Sequence, residues 1–219
     1  MKKTLLTLAL VAATVAAFAQ GKINFNNDTL HLVYFTTDQS SLVSGDSALA
    51  GFGMASTTVI AGAPVIEADL WGGTASTALS LYKTTTFSAV PGKWTATTTL
   101  LSSPLILSGT TVFWQVVIHD TRITGADVSS IQTAAGKSMN EYYGWSPIFT
   151  AVCAASYVNL YATASPTLST WPVGTQDLSA LYGAGAKGSI MLQANVPEPT
   201  SLALLGLGAA SLMIMRRRR

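Results

Sequence analysis

Charge is scarce in this chain. Asp, Glu, Lys and Arg supply 10% of its 219 residues, against about 25% in ordinary soluble domains. Cysteine is scarcer still: Cys153 stands alone, which excludes an internal disulfide and leaves stability to a packed core. His31 and His119 are the only histidines, and neither a His-x-x-x-His nor a Cys-x-x-Cys spacing occurs. Zinc needs several such ligands brought together, so neither a metal site nor a cofactor is expected. No apolar run reaches the roughly 20 residues that span a bilayer, so the mean hydropathy of +0.40 does not describe a polytopic membrane protein. No internal repeat is evident, which argues against a solenoid or propeller.

Aromatic residues, by contrast, are plentiful. Seven Phe, five Trp and seven Tyr, beside many Val, Ile and Leu, bury more apolar surface than a disordered composition allows. The net charge of +2 and the pI near 8.7 change meaning once the charges are placed. Lys2 and Lys3 open the chain, and Arg216, Arg217, Arg218 and Arg219 close it. Between residues 20 and 195, six cations face nine acids, a net −3. Such a body has no electrostatic footprint for a phosphate backbone, and no nucleic-acid partner is expected.

Both ends read as addresses. Residues 1–19 run from Met1 through two lysines and an apolar stretch, Leu5 to Phe18, to Ala17-Phe18-Ala19. Cations, a short greasy core and small residues at the −3 and −1 positions make a secretory signal peptide. Signal peptidase is then expected to cut after Ala19 and leave Gln20 at the new N-terminus. At the far end stand Val196, Pro197, Glu198 and Pro199, then an apolar stretch from Ser201 to Met215, then the four arginines. The prolines favour an extended peptide, the form an enzyme cleft accepts. Fifteen residues of helix cover about 22 Å of a hydrocarbon core about 30 Å thick, which makes residues 201–215 a marginal membrane anchor. Terminal arginines stay on the cytoplasmic side by the positive-inside rule and stop transfer there, leaving the body outside the inner membrane.

Val196-Pro197-Glu198-Pro199, followed by Leu204-Leu205-Gly206-Leu207-Gly208 and the Arg216–Arg219 cluster, resembles the PEP-CTERM sorting signal of Gram-negative bacteria. The resemblance spans residues 196–219, with three elements in fixed order at the extreme C-terminus. It implies recognition by exosortase, an integral-membrane transpeptidase-like enzyme that cuts near the motif and releases or re-attaches the body. It also implies a place at the cell surface or in extracellular polysaccharide. The logic parallels other C-terminal signals whose hydrophobic tail is removed in the mature protein.

Between the addresses, residues 20–195 read as one exported domain of short β-branched and aromatic runs cut by Gly, Ser, Pro and Asp. Strands are expected at residues 22–26, 30–36, 57–60, 65–71, 78–83, 93–101, 110–119, 148–152 and 188–194, spaced as in a sandwich or barrel. The fold class expected is all-β: a single antiparallel β-sandwich, jelly-roll or Ig-like, flanked by the signal helix and the short transmembrane helix. Helical turns are expected only at residues 127–135 and 177–182. Alternation puts Val112, Trp114, Val116 and Ile118 on one side of their strand, and Phe113, Gln115, Val117 and His119 on the other. With both sides apolar, that strand is expected to be central. The same parity sets Ile66, Ala68 and Leu70 against Glu67, Asp69 and Trp71, and the second set reads as solvent-facing.

Glu67 and Asp69 are the close carboxylate pair on an expected strand, with Cβ atoms about 6.6 Å apart on one face. That separation is compatible with glycosidase acids, although acids that flank a scissile bond approach it from opposite sides. Together with Trp71 they would suit a ligand platform better, with an aromatic face for stacking and carboxylates for sugar hydroxyls. His119-Asp120 with a distant serine suggests a triad only weakly, since Gly-x-Ser-x-Gly is absent. Asp120 and Asp127 bracket a loop in which a calcium ion is conceivable. Gly183 to Gly188 spells Gly-x-Gly-x-x-Gly but lacks the strand-to-helix context that a dinucleotide needs, and it reads as a loop. Asn27-Asp28-Thr29 spells a glycosylation sequon that carries little weight in a bacterial context. The chain is therefore expected to be a non-enzymatic surface or extracellular-matrix protein. A carbohydrate-binding module in exopolysaccharide is the alternative, and a secreted glycoside hydrolase comes third.

Overall fold

A computed structural model describes residues 21–100, 109–137, 140–153, 157–160 and 189–195. Both terminal addresses, the turn expected at residues 177–182 and the loop at 183–188 lie outside these residues. The described body is mostly β, in the order β1 Lys22–Phe25, β2 Val33–Phe35, β3 Ile66–Ala75, β4 Ala78–Thr86, β5 Thr97–Leu100, β6 Thr111–Asp120, α1 Val128–Ala135, β7 Tyr142–Trp145, β8 Phe149–Val152, β9 Tyr157–Leu160 and β10 Ile190–Ala194. Two sheets form. One has three strands ordered β5-β1-β9; the other runs β2-β10-β7-β6-β3-β4, with β8 also paired to β6.

The longest strands organise the larger sheet. β6 pairs with β3 along one edge and with β7 and β8 along the other, the central place its two apolar faces predict. On one face Val112, Trp114, Val116 and Ile118 are fully buried in a core shared with Leu70 of β3, Phe35 of β2 and Leu192 of β10. Ile23 and Phe25 of the smaller sheet enter the same core. Strand partners depart from an all-antiparallel arrangement in two places: β1 lies parallel to β9 and β2 parallel to β10. Both pairings join segments far apart in sequence, which local patterning does not encode.

Trp114 shows why glycine interrupts β3. Gly72 stands opposite Trp114 in the ladder, and a Cβ on Gly72 would lie 2.4 Å from the indole ring. Tyr82 closes on the same ring edge-on, with centroids 5.4 Å apart. The ring thus fills the space where a side chain would stand, and alanine at Gly72 must displace a fully buried indole. Overpacking of this kind costs about 1–3 kcal/mol. Gly72→Ala is therefore expected to lower the thermal midpoint of the mature protein by several degrees, measured by circular dichroism, and an unchanged midpoint would contradict this packing.

The long connection between β2 and β3 is tied down by one acid. Asp46, buried, accepts hydrogen bonds from the Ala61 amide at 2.8 Å and from the Tyr142 hydroxyl at 2.8 Å. The Tyr142 oxygen in turn accepts from the Val43 amide. Burial, aided by the neighbouring carboxylate, pushes the Tyr142 phenol well above its ordinary pKa, so it remains a donor to Asp46. The strand expected at 57–60 lies inside this connection and does not form. There Thr58 closes a turn, its hydroxyl accepting from the Ala55 amide and its own amide donating to the Ala55 carbonyl. The expected strand 93–101 narrows to β5, with Trp94 in an isolated bridge to Phe87.

Candidate functional site

Glu67, Asp69 and Trp71 do share one face of β3, as alternation requires, but that face is covered. Asp69 is 4% exposed and Trp71 3%; Glu67 is half-buried. The solvent-facing reading is overturned because α1 lies over this side of the sheet. Its Val128, Ile131 and Ala135 form a second apolar cluster with Trp71, Val117, Ile123 and Tyr143. Trp71 is a core residue of that cluster and offers no stacking platform to solvent.

The helix forms where its cap dictates. The Asp127 carboxylate accepts from the Ser130 amide at 2.7 Å, while the Ser130 hydroxyl accepts from the Asp127 amide, a reciprocal capping box. Such a cap is worth about 1 kcal/mol, and three apolar positions at helical spacing then close onto the sheet.

Asp69 is committed to the fold as well. Its Oδ1 accepts from the Thr84 hydroxyl on β4 at 2.6 Å, and its Oδ2 lies 3.1 Å from Nε2 of His119 on β6. The other ring nitrogen, Nδ1, faces the Asp120 carbonyl at 2.9 Å. A neutral imidazole has one donor and one acceptor, yet both nitrogens here meet acceptors. The doubly protonated ring is the form that satisfies both. Burial opposes that charge, but the hydrogen bonds to Asp69 and to the Asp120 carbonyl, with the fields of Asp69 and Glu67, outweigh it and raise the His119 pKa. His119 is thus a buried cross-strand group whose partners favour its charged form, and among the described residues no serine is bonded to it in a triad.

The Asp120–Asp127 loop closes on itself in the same way. Asp120, fully buried, receives the Arg122 guanidinium through both carboxylate oxygens and the Arg122 amide at 2.9 Å. Asp127 Oδ1 is engaged at the helix cap, and among the described residues no three His, Cys, Asp or Glu gather around a common point. Asn27 is buried too, its amide donating to the His31 and Gly92 carbonyls while its oxygen accepts from the Trp94 amide. That places the sequon asparagine inside the fold. The Cys153 thiol is buried and its pKa pushed up to about 12 by desolvation, which leaves it unreactive at neutral pH.

Sequence reasoning passed over Gln115. It sits mid-strand on the covered face of β6, 5% exposed, its amide donating to the Ser146 carbonyl at 2.8 Å. A polar side chain amid Phe113 and Val117 was the available signal. β7 was likewise missed: Tyr142-Tyr143-Gly144-Trp145 is short and broken by a glycine, yet β10 approaches so closely that a Cβ on Gly144 would lie 2.3 Å from the Met191 carbonyl.

The last described residue is held firmly. Asn195, just past β10, donates to the Ala135 carbonyl at 2.6 Å, accepts from the Tyr143 hydroxyl at 2.9 Å, and its carbonyl accepts from the Asn140 amide. The body's hydrogen bonding therefore reaches the residue at which the tail begins. Among curated proteins and among solved structures, none matches the chain. A family model does match its end: residues 195–219 fit the PEP-CTERM protein-sorting motif, one residue upstream of the boundary read from Val196. The chain thus carries a PEP-CTERM protein-sorting motif at its end, which implies export as a substrate of exosortase, to the cell surface or beyond it.

Proposed function

We propose that the body is a non-enzymatic surface or extracellular-matrix protein, held at the envelope by residues 201–215 until exosortase acts near Pro197, Glu198 and Pro199. One observation supports a presenting rather than a catalytic body. The buried acids that acid–base chemistry would need are already engaged in the fold: Asp46 with Tyr142, Asp69 with His119 and Thr84, Asp120 with Arg122. In the same reading the two sheets are the layers of one sandwich, supported by the core that Ile23 and Phe25 share with Trp114.

Intact mass of the protein from its native host tests the reading at both ends. The mature species is expected to lack residues 1–19 and a C-terminal piece beginning near Glu198. A native protein retaining Arg216–Arg219 would reduce the tail to a plain anchor.

A further inference from the structure

A groove of about 480 Å³ opens between the β3–β4 turn, the first turns of α1 and Ile148. Its size falls within the roughly 300–1,000 Å³ of small-ligand sites. It is distinct from the Glu67–Asp69–Trp71 set, none of which lines it. Ser76 and Thr77 form one wall, Ser129 and Gln132 the opposite wall, and Gln115 the floor. Ser129 and Gln132 stand three residues apart on α1 and so share a helix face.

Gln115 is the informative residue. A leucine would serve the covered face of β6 better, because a buried amide must have both of its polar ends satisfied. Its amino group is satisfied by the Ser146 carbonyl. No hydrogen bond reaches its carbonyl oxygen among the described residues, and the side chain lines the groove. That oxygen is open to solvent at the groove, so the floor presents an acceptor that a ligand's donor can reach. The walls add hydroxyl and amide groups able to donate or accept. No Lys, Arg or His lines the groove, and its one carboxylate, Asp127, is engaged by the Ser130 amide. Anions thus find no countercharge, and the one carboxylate has its Oδ1 bonded at the helix cap. Ile148, 38% exposed, supplies an apolar rim.

We propose that this groove binds a neutral saccharide unit. Hydroxyls pointing in several directions meet the floor acceptor and both walls, while the C–H face of a pyranose lies against Ile148. The inference rests on the extracellular placement of the body, which intact mass tests separately.

The experiment titrates the mature protein with neutral gluco-, manno- and galacto-hexaoses by calorimetry, with hexagalacturonate as the anionic probe. At least one neutral hexaose is expected to bind. Ser129→Tyr, which fills the groove from an exposed helix position, and Gln132→Ala are each expected to weaken it about tenfold or more, the equivalent of one lost hydrogen bond to the ligand. Lys137→Ala, outside the groove and beyond the C-terminal end of α1, leaves binding unchanged. Binding by none of the neutral hexaoses, equal binding by Ser129→Tyr, or preference for the uronate would each overturn the proposal. Gln115→Leu adds a direct test of the floor acceptor where it folds, and Ser129→Tyr decides the matter where it does not.

Discussion

Asp69→Ala is expected to cost about 3–5 kcal/mol, the usual penalty for stranding one member of a buried ion pair and a large fraction of the 5–15 kcal/mol that holds a typical domain together. His119 is 7% exposed. It faces Asp69 and Glu67 from β3 and Tyr143 from β7, its partner in the ladder. Without Asp69, its Nε2 loses its acceptor and its charge loses its counter-ion, and the Thr84 hydroxyl loses its acceptor too. The pair also predicts a pH dependence whose sign follows from the raised pKa of His119. A cation more stable in the folded than in the unfolded chain contributes fully below the unfolded value, about 6.5. Its contribution fades as pH climbs through the higher folded value. Urea unfolding of the mature protein is therefore expected to show stability falling as pH rises above about 6.5, and Asp69→Asn is expected to flatten that fall. Equal slopes in wild type and variant would show that His119 is not held as a cation.

Replacing Pro197, Glu198 and Pro199 together with alanines is expected to abolish processing at the C-terminus in the native host. The motif is what a membrane enzyme recognises, and alanine removes both the carboxylate and the extended geometry that the prolines enforce. The variant precursor should keep its apolar stretch and arginines, and should fractionate with the inner membrane. Immunoblot mobility and fractionation read both outcomes. An unchanged mature size would show that exosortase does not depend on these three residues here. The folded body, whose described hydrogen bonding reaches Asn195, should be as stable in the variant as in wild type.

The two ends and the body were legible to different degrees, for a physical reason. A sorting signal is linear: motif, apolar stretch and cations are contiguous in the sequence. β6 was legible because its own alternation carries the burial of both faces, from Val112 and Trp114 to Val117. The covered face of β3 was not. Glu67, Asp69 and Trp71 look half-exposed until α1 arrives from more than fifty residues further along the chain, and nothing local to β3 announces it. The partners of the Asp120–Asp127 loop were illegible for a related reason, since a pattern of acids does not reveal that Arg122 and the helix cap engage them. The groove was illegible because its floor and walls come from separate segments, joined only by the β3–β6 register and the seat of α1.

The anchoring of Asn195 has a mechanical consequence. β10 lies between β2 and β7 within the larger sheet, and Pro199 follows Asn195 by four residues, a tether of at most about 14 Å when fully stretched. Any load transmitted through a tail fixed to the envelope enters the fold along the axis of β10. There the ladders to both neighbours resist together in shear rather than parting one bond at a time, so the protein is gripped by an interior stave of its sheet, not by a loose end.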